Sequence, residues 1–268
     1  MNSKIAFCDY YHFSILLSVL EIPEFPLNFA ANQKAIAYMK KSWWKILCVV
    51  LILYAIIGGF LMDVPAKPVI QESIRNLYFH VCMWFCMMIL FTISVVNAVK
   101  YLRNNDLKFD NLSRQYAVVG IVFGVLGYST GMIWASFTWA DPNNPASASF
   151  ASIARDPKLI GAAIALLIYF AYLVLRDSVE DLDKKARISS VYNVFAYALL
   201  FPSIWIIPRL LESLHPGGSG NPALNPQDID ARMRVVFYPA VIGWTLLGVW
   251  IVNLKVRMKN LKEKTFYK

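Results

Sequence analysis

The sequence predicts an all-α fold: a polytopic membrane protein of six transmembrane helices with both termini in the cytoplasm. Three observations predict it. The 268 residues are 58% hydrophobic and only 16% charged, against about 25% charged in soluble domains. Six segments are apolar over about 20 residues, the length of helix that crosses about 30 Å of hydrocarbon. The lysines and arginines divide unevenly between the two sides that those segments create.

Residues 1–38 differ from the rest of the chain. The apolar run Phe13–Leu20 is too short to span a bilayer and is followed by Pro23 and Pro26. It lacks the basic start, clean hydrophobic stretch and small-residue cleavage site of a signal peptide. From Met39 the chain reads MKKSWWKILCVVLILYAIIGGFLM, a basic start, an aromatic interface anchor and a span. The sequence therefore predicts translation from Met39, with residues 1–38 as an extension. Residues 39–255 then form the membrane domain and 256–268 a basic cytoplasmic tail.

The expected spans are Trp43–Met62, Phe79–Leu102, Tyr116–Phe137, Leu159–Leu175, Val191–Leu210 and Val235–Val252. The third carries Gly120, Gly124, Gly127 and Gly131, two small-xxx-small pairs that let another helix approach closely. The fifth carries Pro202 and Pro208, which bend it. Neighbouring groups can satisfy the carbonyls that such bends free.

Of the 26 Lys and Arg residues, nineteen fall on the side of the two termini and seven on the other. The positive-inside rule places the termini in the cytoplasm, with or without residues 1–38. The formal net charge of +9 thus reports topology, and no nucleic acid is implied. Three loops face outward, about Asp63–Tyr78, Thr138–Pro157 and Leu211–Arg234.

Two of the three histidines reach that outer side; His12 lies in the extension. His80 stands where the first outer loop enters the second span. There the helix dipole disfavours the imidazolium, and the neutral ring is the form that binds metal. His215 lies in the third outer loop, in RLLESLHPGGSGN (Arg209–Asn221). Pro216 biases it towards extended backbone, and Gly217, Gly218 and Gly220 mark a turn. Taken alone, this stretch is either a helix stop with an incidental histidine or a bend that turns an imidazole towards a ligand. Two imidazoles from different helices, however, can ligate one metal, and imidazole is a common axial ligand of haem iron. Arg75, Arg209, Arg232 and Arg234 are available to the carboxylates of such an amphiphile, or are interface anchors.

Other chemistry is absent from the sequence. It has no Walker A motif, HExxH, GxSxG or glycine-rich dinucleotide fingerprint. No charged residue lies deep in an expected span, against a proton or ion relay. The acidic run Asp177–Asp183 reads as a solvated face. Cys8, Cys48, Cys82 and Cys86 form no CxxC motif. Cys82 and Cys86 share a helix face, as small hydrophobes or as a metal or redox pair.

From about Met39 to Val252 the chain resembles the cytochrome c maturation protein C family, also called haem exporter protein C. The resemblance rests on IRNLYFHVCMWF (Ile74–Phe85), LGYSTGMIWASFTW (Leu126–Trp139), ARISSVYNVFAYALLFP (Ala186–Pro202), PRLLESLHPG (Pro208–Gly217) and YPAVIGWTLLGVWI (Tyr238–Ile251). It implies a six-span bacterial inner-membrane or organellar protein. Its two outward histidines, here His80 and His215, are then axial ligands of non-covalent haem b. It also implies work with ABC transporter subunits and delivery of haem to a periplasmic haem chaperone of cytochrome c maturation.

Two departures stand out. Cys82 takes the place of a usual proline. The second outer loop usually carries a tryptophan-rich signature, roughly WGxWWxWD, that lies against haem. Here Trp134 and Trp139 remain, followed by Ala140–Leu159 without a further tryptophan. The signature aspartate corresponds to Asp156 or Asp141; Asp156 is favoured because DPK leads directly into the next span. The resemblance thus gives Trp134, Trp139 and Asp156 as haem contacts beside the two histidines.

The chain is not read as an enzyme, since the bond-forming chemistry belongs to the chaperone. Two other readings stand beside haem delivery. One is a membrane redox protein whose bis-His haem exchanges electrons with a quinone. The other is a structural subunit of an ABC-type export assembly, with incidental histidines.

Overall fold

The computed structural model describes residues 29–66, 70–141, 143–206, 210–215 and 229–266. Most of the N-terminal extension with His12, and also Pro208, Arg209, Pro216 and the glycines at 217, 218 and 220, lie outside the described residues. The chain is helical, and among the described residues the only strand-like pairing is an isolated bridge between Asp141 and Asn144.

The helices are α1 (Phe29–Leu61), α2 (Leu77–Asn104), α3 (Leu107–Thr138), the single turn α4 (Phe150–Ile153), α5 (Pro157–Asp177), α6 (Leu182–Phe201) and α7 (Ala231–Phe266). A 3-10 segment, Gln71–Asn76, leads into α2, and a π-helical turn, Pro202–Ile206, continues α6. Among the described residues, six stretches are long and apolar enough to cross a membrane: Ser42–Leu61, Gln71–Asn104, Leu107–Thr138, Pro157–Asp177, Leu182–Ile206 and Ala231–Thr265. Each contains most or all of one expected span. Six crossings put the start of the first stretch and the end of the last on one side. The opposite side, the histidine end, receives the starts of α2, α5 and α7 and the ends of α1, α3 and α6.

Local chemistry sets the boundaries. Asn105 adopts φ 52°, a left-handed conformation that asparagine tolerates better than most residues, and its N–H bonds the Tyr101 carbonyl. Asp106 then caps α3 by accepting from the Lys108 N–H, so two residues turn the chain from α2 into α3. Asp156 caps α5 through the Lys158 N–H, with Pro157 in the first turn. Asp181 caps α6 through the Lys184 N–H.

A neighbouring helix repairs the break at Pro239. Pro239 lies inside α7 and has no N–H for the carbonyl one turn back. That carbonyl, of Val235, accepts from the Tyr54 hydroxyl of α1 at 3.4 Å. After Pro202, the Ser203 hydroxyl bonds the Leu199 carbonyl at 2.8 Å. The bend expected at Pro202 is thus a π-helical turn.

Helix α2 is central and packs on α3, α6 and α7; α1 lies mainly on α7. The core between α2 and α3 closes where Phe91 stacks on Tyr169 of α5, ring centroids 3.5 Å apart. Gly120 makes room for Phe91, because a Cβ there would stand 2.6 Å from its ring. The glycines of α3 therefore receive side chains of neighbouring helices. Large apolar residues such as Phe60, Leu167 and Val174 point outward, as expected of surfaces that face lipid.

Polar side chains tie the helices towards the termini side. Asn193 donates to the hydroxyls of Ser94 and Ser113 at 2.8 and 2.9 Å. Arg176, in the last turn of α5, forks onto Asp110, in the first turn of α3, at 2.7 and 2.5 Å. Both side chains of this ion pair are less than a tenth exposed.

Candidate functional site

The histidine end brings His80 and His215 together. Their ring centroids are 6.2 Å apart and their planes meet at 45°. His80 is the fourth residue of α2, and His215 ends the short described segment Leu210–His215 between α6 and α7.

The ring of His80 is fixed from the α3 side. Its Nδ1 lies 2.8 Å from the Gly127 carbonyl and 3.3 Å from the Thr130 hydroxyl. A carbonyl only accepts, so Nδ1 carries the proton and donates. The lone pair of the neutral ring is then on Nε2. Histidines that bind metal commonly use the other ring N–H in this way. Gly131 is the floor of the same pocket: a Cβ there would stand 2.6 Å from Cε1 of His80. Trp84, one turn along α2, meets the ring edge-on at 6.3 Å.

His215 is held through its backbone. Its N–H donates to the Ser213 hydroxyl oxygen at 3.0 Å, and its carbonyl lies 3.5 Å from Lys158 Nζ. Ser213 in turn donates to the Asp156 carboxylate, whose oxygens lie 2.9 and 2.8 Å away. The Leu214 N–H reaches the same carboxylate at 3.1 Å.

The other predicted residues lie at this end in different settings. Trp134 donates its indole N–H to the backbone and hydroxyl oxygens of Ser73, both at 3.2 Å. It thereby joins α3 to the first outer loop. Trp139 packs beside Ala135, Ala148, Ile153 and Leu159. Asp156 is buried, and the contacts described are with Lys158, Ser213 and Leu214. Trp139, Arg155, Asp156, Leu210, Leu211 and Leu214 line a cavity of about 860 Å³. That volume lies within the roughly 300–1,000 Å³ of typical small-molecule sites.

The arginines divide. Arg75 sends one nitrogen to the Gly59 and Met62 carbonyls at 2.9 and 2.6 Å and another to Glu72 at 2.5 Å. It caps the C-terminus of α1, where a cation meets the negative end of the helix dipole. Arg232 pairs with Asp230 at 3.1 Å; its hydrogen bonds hold the Asp230 carboxyl below its ordinary pKa. Cys82 and Cys86 each turn to a backbone carbonyl, of Leu77 at 3.8 Å and Trp244 at 3.4 Å. Among the described residues, no group of three or more His, Cys, Asp or Glu is placed to hold a metal ion.

Sequence reasoning missed four contributors. Gly127 and Gly131 were legible as helix-packing residues, but not as the wall against His80. Trp84 carried a signal, its spacing of one turn from His80. Ser213 carried none.

The arrangement can present two nitrogen ligands from two elements to one metal centre, beside a cavity whose lining mixes Trp139 and leucines with Arg155, Asp156 and Glu212. The family model for heme exporter protein C (CcmC) matches residues 26–267. No curated protein matches the chain. The family match takes in residues 26–38, which the sequence resemblance left out, and α1 likewise begins before Met39, at Phe29. The chain belongs to the heme exporter protein C family, membrane proteins that handle haem in cytochrome c biogenesis.

Proposed function

We propose that this protein binds haem b non-covalently at the outer face of the membrane, with His80 and His215 as the axial ligands, and passes it to a periplasmic haem chaperone. The observation that carries the reading is the 6.2 Å between the two imidazole centroids. A ring nitrogen bonds a first-row metal at about 2 Å and lies roughly 1 Å from its ring centre, so two axial imidazoles on one metal have centroids about 6 Å apart. The protonated Nδ1 of His80, bonded to Gly127, leaves Nε2 as its ligand atom. Trp134 and Trp139 are proposed to border the macrocycle. Arg75 serves the end of α1 and is not assigned to the propionates.

Haem supplies the iron and the flat apolar ring. The chain contributes two neutral imidazoles, their orientation and an apolar border. Covalent chemistry belongs to the chaperone, so the chain acts as a handler and not as an enzyme. In this reading it sits in the bacterial inner membrane beside ABC transporter subunits, with the histidine end facing the periplasm.

The test is transfer. The haem-loaded protein in lipid nanodiscs is mixed with the haem-free chaperone, and haem on each is measured over time. The reading predicts that haem leaves this chain and appears on the chaperone. Haem that stays in place, while cycling reversibly with a quinol, contradicts delivery and favours the redox reading.

A further inference from the structure

We propose that Asp156 and Ser213 are positioning residues that clamp the His215 segment to the start of α5 and so set where the His215 imidazole stands. The role of that imidazole as a ligand rests on the haem reading above; the clamp itself does not.

The bonding around Asp156 exceeds what a helix cap requires. A cap needs one carboxylate oxygen for one N–H of the first turn, and the Lys158 N–H supplies that bond at 2.9 Å. The Asp156 carboxylate also receives the Ser213 hydroxyl, 2.9 and 2.8 Å from its two oxygens, and the Leu214 N–H at 3.1 Å. The residue is 8% exposed, and burying a carboxylate is costly unless its oxygens are bonded. These donors meet that need, and two of them belong to the segment that ends in His215.

Ser213 relays the hold. Its hydroxyl gives its proton to Asp156 and accepts the N–H of His215 at 3.0 Å. From the other side, Lys158 Nζ lies 3.5 Å from the His215 carbonyl. Both backbone polar groups of His215 are therefore tied to the Asp156–Lys158 turn, or to the serine that turn holds. Residues 210–215 form neither a full helix nor a strand, so regular secondary structure does not fix them. His80 needs no such device, because α2 carries it and Gly127 and Gly131 wall it. The second outer loop, short of tryptophan, thus ends in a residue that holds a ligand in register.

The experiment uses the full chain in detergent, with Ser213→Ala, Asp156→Ser and Ser213→Thr. Asp156→Ser keeps a helix-capping oxygen and removes the second carboxylate oxygen; Ser213→Thr keeps the hydroxyl. Two readouts are taken: amide hydrogen exchange over 213–215 without haem, and the spin state of added ferric haem. In Ser213→Ala and Asp156→Ser, exchange should rise by about tenfold, the scale of one lost hydrogen bond. Six-coordinate low-spin haem should fall by more than half, and added imidazole should restore it. Ser213→Thr should match the wild type in both. Wild-type exchange and spin state in both Ser213→Ala and Asp156→Ser would overturn the clamp. Raised exchange in those variants, with no haem taken up by the wild type, would uphold the clamp and overturn the axial-ligand reading.

Discussion

The imidazole of His80 occupies space that Gly131 leaves open: a Cβ at position 131 would stand 2.6 Å from Cε1 of His80. Alanine is worth about 1 kcal/mol more than glycine inside a helix, so Gly131→Ala favours α3 while driving the ring away from the Gly127 carbonyl. The expected outcome is a protein with wild-type helix content by circular dichroism and haem retention lowered by about tenfold, the equivalent of one lost hydrogen bond. Wild-type haem retention in Gly131→Ala would show that the ring position does not matter.

Arg75 closes the C-terminus of α1 against the first outer loop through the Gly59 and Met62 carbonyls. Hydrogen bonds to a charged group contribute about 1.5–3 kcal/mol. Arg75→Ala should lower stability by about that much in thermal unfolding of the detergent-solubilised protein. Arg75→Lys should recover only part, because one ammonium cannot reproduce the guanidinium fork. Equal melting temperatures for all three proteins would remove Arg75 from the account of the fold.

At the opposite end of the bundle, removing one member of the Asp110–Arg176 pair strands a buried charge. Arg176→Met should cost about 3–5 kcal/mol, whereas the double change Asp110→Leu/Arg176→Met should cost far less. Because more than half the length of α3 separates this pair from the residues that hold His80, haem uptake per folded molecule should be unchanged. A double variant as unstable as the single one would show that the pair holds the fold by more than mutual neutralisation.

The sequence made the six crossings legible because each needs only a run of apolar residues. The meeting of His80 with His215 was half legible. Counting charges placed both on one side, but only packing brings their centroids to 6.2 Å. Helix ends were less readable. Helix α3 begins at Leu107, well before the expected span at Tyr116, because Asp106 caps it and Asp110 is neutralised by Arg176. Each looked like an ordinary loop charge until the two helix ends were set side by side. Arg75 read as an interface anchor or a partner for a ligand carboxylate, and its helix-capping role depends on where α1 ends. Ser213 was unreadable, since a serine in a loop has no pattern until Asp156 stands beside it.

The measurement that tests the central claim most directly is the absorption spectrum of the detergent-purified protein, oxidised and reduced, beside the His80→Ala/His215→Ala double variant. Circular dichroism shows whether both are folded. The account predicts a six-coordinate low-spin haem spectrum in the wild type that is absent from the folded double variant. The same haem spectrum in both proteins, or a haem-free wild type from membranes with ample haem, would contradict it.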